Sequence, residues 1–250
     1  MAGLRAGSGT VSKVYGRLAS KKGLQVSGID KTFISIVSLV CFGIAVMVHE
    51  VSHGLAAYLM GDSTAKDAKR LTLNPLRHID PFGTVILPLM LVLAGMPAFG
   101  YAKPVPYNPT HFKNIKVGEV ITGLAGPTSN LLMAFSAAGF AIPVRYFFSW
   151  APMAVYVHIA LYLFTLVNLC LMFFNLLPIP PLDGSSIIVP LLPEKALPTW
   201  NRIQRYSMPV LLLIIVVIPY ITEMLGYPIN LLSAYIRLTA YNLCDLLFSF

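Results

Sequence analysis

The feature that most constrains this chain is a series of long apolar runs that carry almost no charge. Between Val37 and Val48 there is no charged side chain. Over the whole sequence 56% of residues are hydrophobic, 11% are charged, and the mean hydropathy is +0.73. Soluble domains carry about a quarter charged residues, so this composition cannot cover a water-facing surface. The sequence therefore predicts an integral, multi-pass membrane protein.

Several apolar segments are long enough to cross a bilayer, which takes about 20 residues. The clear segments run from residue 33 to about 60, from 117 to about 148, from 151 to 177 and from 208 to 225. Residues 82–99 form either a short span or a re-entrant hairpin, and residues 229–250 form a span or an interfacial helix. Residues 100–116 are predicted to be extended or looped. Because lipid tolerates no open sheet edge, we predict an all-α polytopic bundle of about five to six transmembrane segments, with a short membrane-associated β or re-entrant region.

The sequence predicts three parts of the chain. Residues 1–31 form a basic tail, residues 32–190 a predicted catalytic transmembrane core, and residues 191–250 the C-terminal transmembrane segments. The net charge of +8 indicates contact with anionic lipid rather than with nucleic acid, because no compact basic domain lies outside the apolar segments. The three cysteines have no paired spacing and are predicted to be small buried hydrophobic residues.

The strongest chemical signal is the segment His49-Glu50-Val-Ser-His53 at the end of the first apolar run. On a helix, positions four residues apart lie on one face, so the two imidazoles can bind one zinc ion. Glu50 lies between them, close enough to act on a water molecule at the metal. Ionisable side chains inside a bilayer cost several kcal/mol unless they are paired or functional, so a chance match at this depth is disfavoured.

Two imidazoles leave a catalytic zinc ion one protein ligand short. The candidates for the third ligand, by position near apolar segments, are His158, Asp183, Glu223 and Asp245. Asp183 stands out because it follows a proline cluster at the end of an apolar run. Prolines break a helix, and irregular backbone at membrane depth is tolerated only where protein or a water-filled cavity covers it. The alternative is that Asp183 only caps a helix in an interfacial loop.

Three motifs occur in a fixed order, each in or at the end of an apolar segment: His49-Glu-x-x-His53, Gly126-Pro127-x-x-Asn130 and Asn175-x-x-Pro178-x-Pro180-x-Leu182-Asp183-Gly184. This ordered set resembles the site-2 protease family of intramembrane metalloproteases. The segments 71–81 and 102–106 resemble a compact bacterial branch of that family. The match covers roughly residues 40–190, and it implies a protease in a bacterial cell membrane.

The resemblance implies a role for each matching residue. His49, His53 and Asp183 would bind one zinc ion per chain, and Glu50 would be the general base. Asn130 would hold the substrate carbonyl or the developing oxyanion, although it could instead join helices by hydrogen bonds.

The resemblance also bears on the substrate. Asn175 would brace the broken helix or bind the substrate backbone, with helix joining again as the alternative. The 62–116 segment would bind a transmembrane substrate as an added strand. The chain has no region long enough for a PDZ or CBS domain, which other branches carry.

Two matters stay open at this stage. A membrane zinc transporter or metal sensor would use the same His and Asp residues, although transporters usually need several sites along a path. The basic tail favours a cytoplasmic N-terminus. The family resemblance places the zinc site near the cytoplasmic face, which would put that tail on the other side.

Overall fold

The computed structural model describes residues 31–93, 100–148, 150–151, 153–227 and 230–249, and these residues are largely helical, without β-strands. Most of the predicted basic tail lies outside them. The chain divides into two compact units, residues 1–39 and 40–250. In the first unit, the described part is the beginning of helix α1, Lys31–Leu59, which continues into the second unit.

The second unit contains the other α-helices of the described residues. They are α2 (Thr64–Asp67), α3 (Leu87–Leu93), α4 (Ile115–Phe147), α5 (Met153–Asn175), α6 (Leu197–Leu212), α7 (Ile218–Met224), α8 (Leu231–Ile236) and α9 (Asn242–Leu247). Three π-helical turns lie between or before them: Pro81–Ile86 leads into α3, Leu213–Val217 joins α6 to α7, and Arg237–Tyr241 joins α8 to α9.

Among the described residues, four helical segments are long and apolar enough to cross a membrane: Thr32–Leu59, Ile115–Phe147, Met153–Asn175 and Tyr206–Met224. They agree with the four clear apolar runs of the sequence, and the all-α membrane fold is confirmed. The predicted total of five to six spans is not confirmed by helix length.

The residues that flank the predicted 82–99 segment lie close together. The backbone N–H of Tyr101 donates to the carbonyl of Gly83 over 3.0 Å, and the Thr84 hydroxyl donates to the carbonyl of Tyr101 over 2.9 Å. Residues 94–99 lie outside the described residues, but the two ends of the segment meet. This geometry favours the re-entrant hairpin over a full span.

The last apolar segment runs along α5 instead of away from it. The Tyr162 hydroxyl donates to Asp245 over 3.0 Å, and the Tyr235 hydroxyl donates to the carbonyl of Phe173 over 3.2 Å. These pairs place α8 and α9 antiparallel to α5. Because α5 is itself a candidate span, the segment packs within the bundle, although it is shorter than the four clear spans.

Of the predicted β or re-entrant region, the described residues form no β-strand, which leaves the re-entrant form. Residues 101–108 are extended but pair with loops and side chains rather than with another strand. Pro104 and Pro106 have no backbone N–H, so a regular ladder cannot form on the edge that they face.

Helices α1, α4 and α5 position the candidate site. His53 of α1 contacts Thr122 of α4, and His49 contacts Asn130 further along α4, so the two helices are antiparallel. The Thr165 hydroxyl of α5 donates to the carbonyl of Ala134 on α4 over 3.3 Å. The three helices therefore enclose one end of the bundle, where the polar motifs lie.

Candidate active site

Two imidazoles of α1 lie one helical turn apart and face each other. Nε2 of His49 is 3.0 Å from Nε2 of His53, and the ring centroids are 4.6 Å apart, edge to face. Both side chains are buried, with 5% and 9% of the residue surface exposed. The four-residue spacing thus gives a single imidazole face, as helix geometry requires.

Asp183 reaches the same point from the turn that follows α5. The helix ends at Asn175, and the prolines of the 178–181 segment prevent it from continuing. The chain turns back and places Oδ2 of Asp183 at 3.0 Å from Nε2 of His49 and at 3.3 Å from Nε2 of His53. The structure therefore brings together the three side chains that the sequence analysis proposed as metal ligands.

The three ligand atoms form a triangle that fits a zinc ion. Its edges are 3.0, 3.0 and 3.3 Å. A tetrahedral zinc ion with bonds of about 2.0–2.2 Å holds its ligand atoms about 3.3–3.6 Å apart. Oδ2 of Asp183 is buried and has no hydrogen-bond partner among the described residues other than the imidazoles. A central cation would satisfy all three atoms, and this mixture of nitrogen and carboxylate ligands suits zinc.

Hydrogen bonds on the far side of each ring leave Nε2 available to a cation. Nδ1 of His53 donates to the backbone carbonyl of Thr122 over 2.7 Å. A carbonyl can only accept, so the proton of this ring is on Nδ1. Nδ1 of His49 lies 2.6 Å from Oδ1 of Asn130, which acts as the matching acceptor. This arrangement, with Nδ1–H held and Nε2 presented, is typical of metal-ligating histidines.

The carboxyl group of Asp183 is ionised at neutral pH. Burial by itself would raise its pKa, but hydrogen bonds and positive charge from His49 and His53 in their protonated form outweigh burial and lower the pKa to about 2. Metal ligands must be deprotonated, so this carboxylate is ready to bind a cation.

Asn130 lies behind His49 rather than in open space. Its side chain is fully buried, at 0% exposure, and its amide nitrogen donates to Oδ1 of Asn168 on α5 over 2.8 Å. Asn168 in turn donates to the carbonyl of Phe164. The chain of contacts fixes the amide orientation, so Oδ1 of Asn130 faces Nδ1 of His49. The predicted contact of Asn130 with a substrate carbonyl gains no support from this position.

Asn168 was not identified from the sequence. It lies two turns before Asn175 on the same apolar helix, and a polar side chain within a span is a signal of function or helix contact. That signal alone does not say which helix the side chain faces, and only the packing of α4 against α5 shows its contact with Asn130.

Glu50 lines a cavity of about 1040 Å³ together with the three candidate ligands. Its Oε2 accepts the backbone N–H of Val105 over 2.9 Å. The extended segment 101–108 therefore crosses α1 at this point and orients the carboxylate. One oxygen of the Glu50 carboxylate is thus held, in the cavity that the three candidate ligands also line.

The other residues singled out from the sequence lie in different surroundings. Asn175 lines the same cavity, while its amide nitrogen donates to the carbonyl of Leu171. His158 packs edge to face against Phe248, Asp245 accepts from Tyr162, and Glu223 is exposed on α7. None of these last three belongs to the ligand cluster formed by the described residues.

Comparison with known proteins places the chain in a family. A sequence profile described as peptidase family M50 matches residues 143–218. The chain is 38% identical over 172 residues to the Bacillus subtilis (strain 168) protein named "Putative zinc metalloprotease YwhC", covering 68% of this chain and 75% of that protein. The chain belongs to peptidase family M50.

More distant relatives agree with this membership. The M50 chain is 30% identical over 161 residues to the Mycolicibacterium smegmatis protein named "Putative zinc metalloprotease Rip2", covering 64% of this chain and 59% of that protein. The Mycobacterium tuberculosis (strain H37Rv) protein of the same name is 27% identical over 180 residues, covering 72% of this chain and 66% of its own length. No solved structure matches. None of these names describes a transporter, so the rival prediction of a zinc transporter or sensor has no support here.

Proposed function

We propose that this M50 peptidase is an intramembrane zinc endopeptidase that cuts transmembrane substrates within or beside the bilayer of a bacterial cell. His49, His53 and Asp183 hold the zinc ion, and Glu50 is the general base. The observation that carries the proposal is the triangle of three ligand atoms, with edges of 3.0–3.3 Å, in a cavity that also contains a carboxylate. The bacterial location rests on the source of the relatives, and the four apolar helices support a membrane setting.

The chemistry divides between the metal and the side chains. When bound, zinc supplies Lewis acidity, which activates water and polarises a carbonyl group. Glu50 accepts the proton from the attacking water and passes it to the leaving amine. The N–H of Val105 holds Oε2 of Glu50, so the carboxylate keeps one orientation through both transfers.

Second-layer contacts keep the ligands in place. The carbonyl of Thr122 holds the His53 ring, and Asn130, itself fixed by Asn168, holds the His49 ring. We assign Asn130 to this positioning role in place of the oxyanion contact inferred from the family resemblance. Loss of such outer contacts costs about 10- to 100-fold in metal affinity or activity in comparable sites.

A substrate strand fits along the extended segment 101–108. The N–H groups of Tyr101, Lys103 and Val105 all donate toward the protein, to Gly83, His78 and Glu50 respectively. Alternate residues of an extended chain point their backbone groups to opposite edges, so Ala102, Pro104 and Pro106 present carbonyls on the other edge. A locally unwound substrate can donate its N–H groups to that edge, next to Glu50. Asn175, at the cavity wall, is our candidate for a contact with the substrate backbone.

The test uses Glu50→Gln, which keeps the size and most of the hydrogen bonding of the side chain. Purified protein in proteoliposomes is given single-span peptides, and products are identified by mass spectrometry. The variant should keep its zinc content and lose cleavage by at least about 100-fold, because general-base catalysis contributes about 10²–10⁴-fold. Cleavage at the wild-type rate would refute the assignment of Glu50.

A further inference from the structure

The cavity that contains the ligand cluster is acidic. Its lining includes the carboxylates of Glu50, Glu119 and Asp183, and no lysine or arginine of the described residues lines it. A zinc dication compensates two of these three negative charges, so one carboxylate is left without a counter-charge.

Glu119 is the carboxylate that the proposed reaction does not use. Asp183 contacts the two imidazoles, and Glu50 is held by the Val105 N–H. The partner of Glu119 is the Tyr107 hydroxyl, which lies 3.1 Å from Oε2. A phenol is neutral at pH 7, so it orients the carboxylate without neutralising it. The ion pairs formed among the described residues do not include Glu119.

The position of Glu119 matches the end of a substrate span. It lies in the second turn of α4, which begins at Ile115, and therefore about 6 Å from the start of that helix. Transmembrane segments commonly carry lysine or arginine just outside their apolar run, above all on the cytoplasmic side. A substrate that enters the cavity would bring such a residue to the depth of Glu119.

Two buried hydroxyl groups in the lining of the same cavity provide a second, independent observation. Oγ1 of Thr122 and Oγ of Ser186 have no hydrogen-bond partner among the described residues, and the two residues are only 1% and 8% exposed. Both line the cavity, and Thr122 is one turn from Glu119 on the same face of α4. An ammonium group has three N–H donors, and a guanidinium group has five, so either could supply the bonds that these oxygens lack.

We propose that Glu119, oriented by Tyr107 and assisted by the hydroxyls of Thr122 and Ser186, binds a lysine or arginine side chain of the substrate beside the scissile bond. This inference rests on the proposed endopeptidase function and specifies its substrate class. The enzyme selects membrane segments that carry a basic residue at the boundary of the span. Glu119 is a specificity residue, since neither the metal ligands nor Glu50 depends on it.

The test is a set of single-span peptides in proteoliposomes, with each boundary position occupied in turn by lysine, arginine, glutamine or glutamate. Cleavage is followed by mass spectrometry for the wild type, Glu119→Gln, Glu119→Lys and the control Glu223→Gln, which changes an exposed carboxylate outside the cavity. The wild type and the control should prefer a basic residue over glutamine by about tenfold in kcat/KM at one position. Glu119→Gln should lose this preference, and Glu119→Lys should prefer glutamate.

Zinc content separates failure of this inference from failure of the proposed function. Each variant should retain the zinc content of the wild type, because Glu119 is not in the ligand cluster. A wild type that cleaves peptides without preferring basic residues would overturn the inference and leave the endopeptidase function intact. A preference that persists in zinc-loaded Glu119→Gln would overturn it as well. A zinc-loaded wild type that cleaves no peptide would contradict the proposed function, and the inference with it.

Discussion

A glycine of α4 leaves the space in which the two imidazoles meet. A Cβ atom at Gly126 would overlap Nε2 of His53 and lie 2.6 Å from Nε2 of His49. Side-chain atoms are not found this close to a Cβ, so a larger residue would have to displace the metal-binding nitrogens. The Gly-Pro motif of this helix thus has a packing reason that belongs directly to the site.

We expect Gly126→Ala to lower zinc affinity by at least about tenfold, in the range seen when the surroundings of metal ligands are disturbed. Alanine favours a helix over glycine by about 1 kcal/mol, so loss of helix stability cannot explain the effect. The matched control is Gly139→Ala in the same helix, where a new Cβ meets no atom within 4 Å. Competition with a chromophoric chelator measures both affinities, and equal affinities for the two variants would refute this packing argument.

At this scale the sequence predicts what depends on local spacing. His49 and His53 follow from a four-residue repeat on a helix, and Asp183 was favoured among four candidates because of its prolines. Asn168, which contacts Asn130, and Glu119, which lines the cavity, were not predicted. Their roles depend on which helices pack together, and the sequence does not show this. A single polar residue in an apolar run indicates a contact but not its target.

At the scale of the helices, the buried carboxylate of Asp62 connects the end of α1 to the turn before α4. Asp62 is fully buried, at 0% exposure, and accepts hydrogen bonds from Thr64, from the N–H of Asn108 over 2.7 Å and from His111 over 2.8 Å. Burial would raise the pKa of Asp62, but these hydrogen bonds outweigh it and lower the pKa to about 2. These hydrogen bonds hold the segment that contains Asn108 and His111 against the end of α1.

The lowered pKa predicts how stability depends on pH. The carboxyl group has a pKa of about 3.9 in an unfolded chain, so its ionised form stabilises the fold at neutral pH. This contribution is present above the unfolded value and is lost as the pH falls from about 4 toward 2. Asp62→Asn should therefore cost about 2 kcal/mol at pH 7, and the difference from the wild type should shrink below about pH 4.

Thermal unfolding in detergent at several pH values measures this effect. Asp67→Asn is the control, because Asp67 is exposed in the neighbouring helix α2. An Asp62→Asn variant as stable as the control at pH 7 would contradict the proposed role of the carboxylate.

The secondary structure was predicted correctly where a long apolar run is enough to determine it. The four clear runs became the four long helices, because about 20 apolar residues in lipid have few alternatives to a helix. Two alternatives stayed open for residues 82–99, which fall short of 20 residues, and for residues 229–250, which carry Arg237 and Asp245. The predicted β or re-entrant region forms no β-strand among the described residues, because Pro104 and Pro106 lack the backbone N–H groups that a regular ladder needs.

In the whole molecule, the basic residues of the connecting segments lie at the end that carries the cavity. Outside the four long helices, residues 60–114 contain six lysines and arginines and residues 176–205 contain three, while residues 148–152, at the other end of α4 and α5, contain none. From the positive-inside rule we predict that the cavity end faces the cytoplasm. This agrees with the family resemblance and opposes the orientation suggested by the basic tail.

Labelling of single cysteines with a membrane-impermeant maleimide tests this orientation. In intact bacterial cells, Ala151→Cys should react, whereas Lys69→Cys should react only after the membrane is opened. The native cysteines are first replaced, because Cys41, Cys170 and Cys244 are free thiols. The reverse pattern of labelling would show that the cavity end faces outward.

The central claim is that side chains from α1 and from the turn after α5 hold one zinc ion. Its most direct test is the zinc content per chain of purified wild type, Asp183→Ala and Glu50→Gln, measured by elemental analysis in detergent. We predict one zinc ion per chain in the wild type and in Glu50→Gln, and a large loss in Asp183→Ala, because two imidazoles alone bind catalytic zinc poorly. An Asp183→Ala protein that retains a full zinc ion per chain would contradict it.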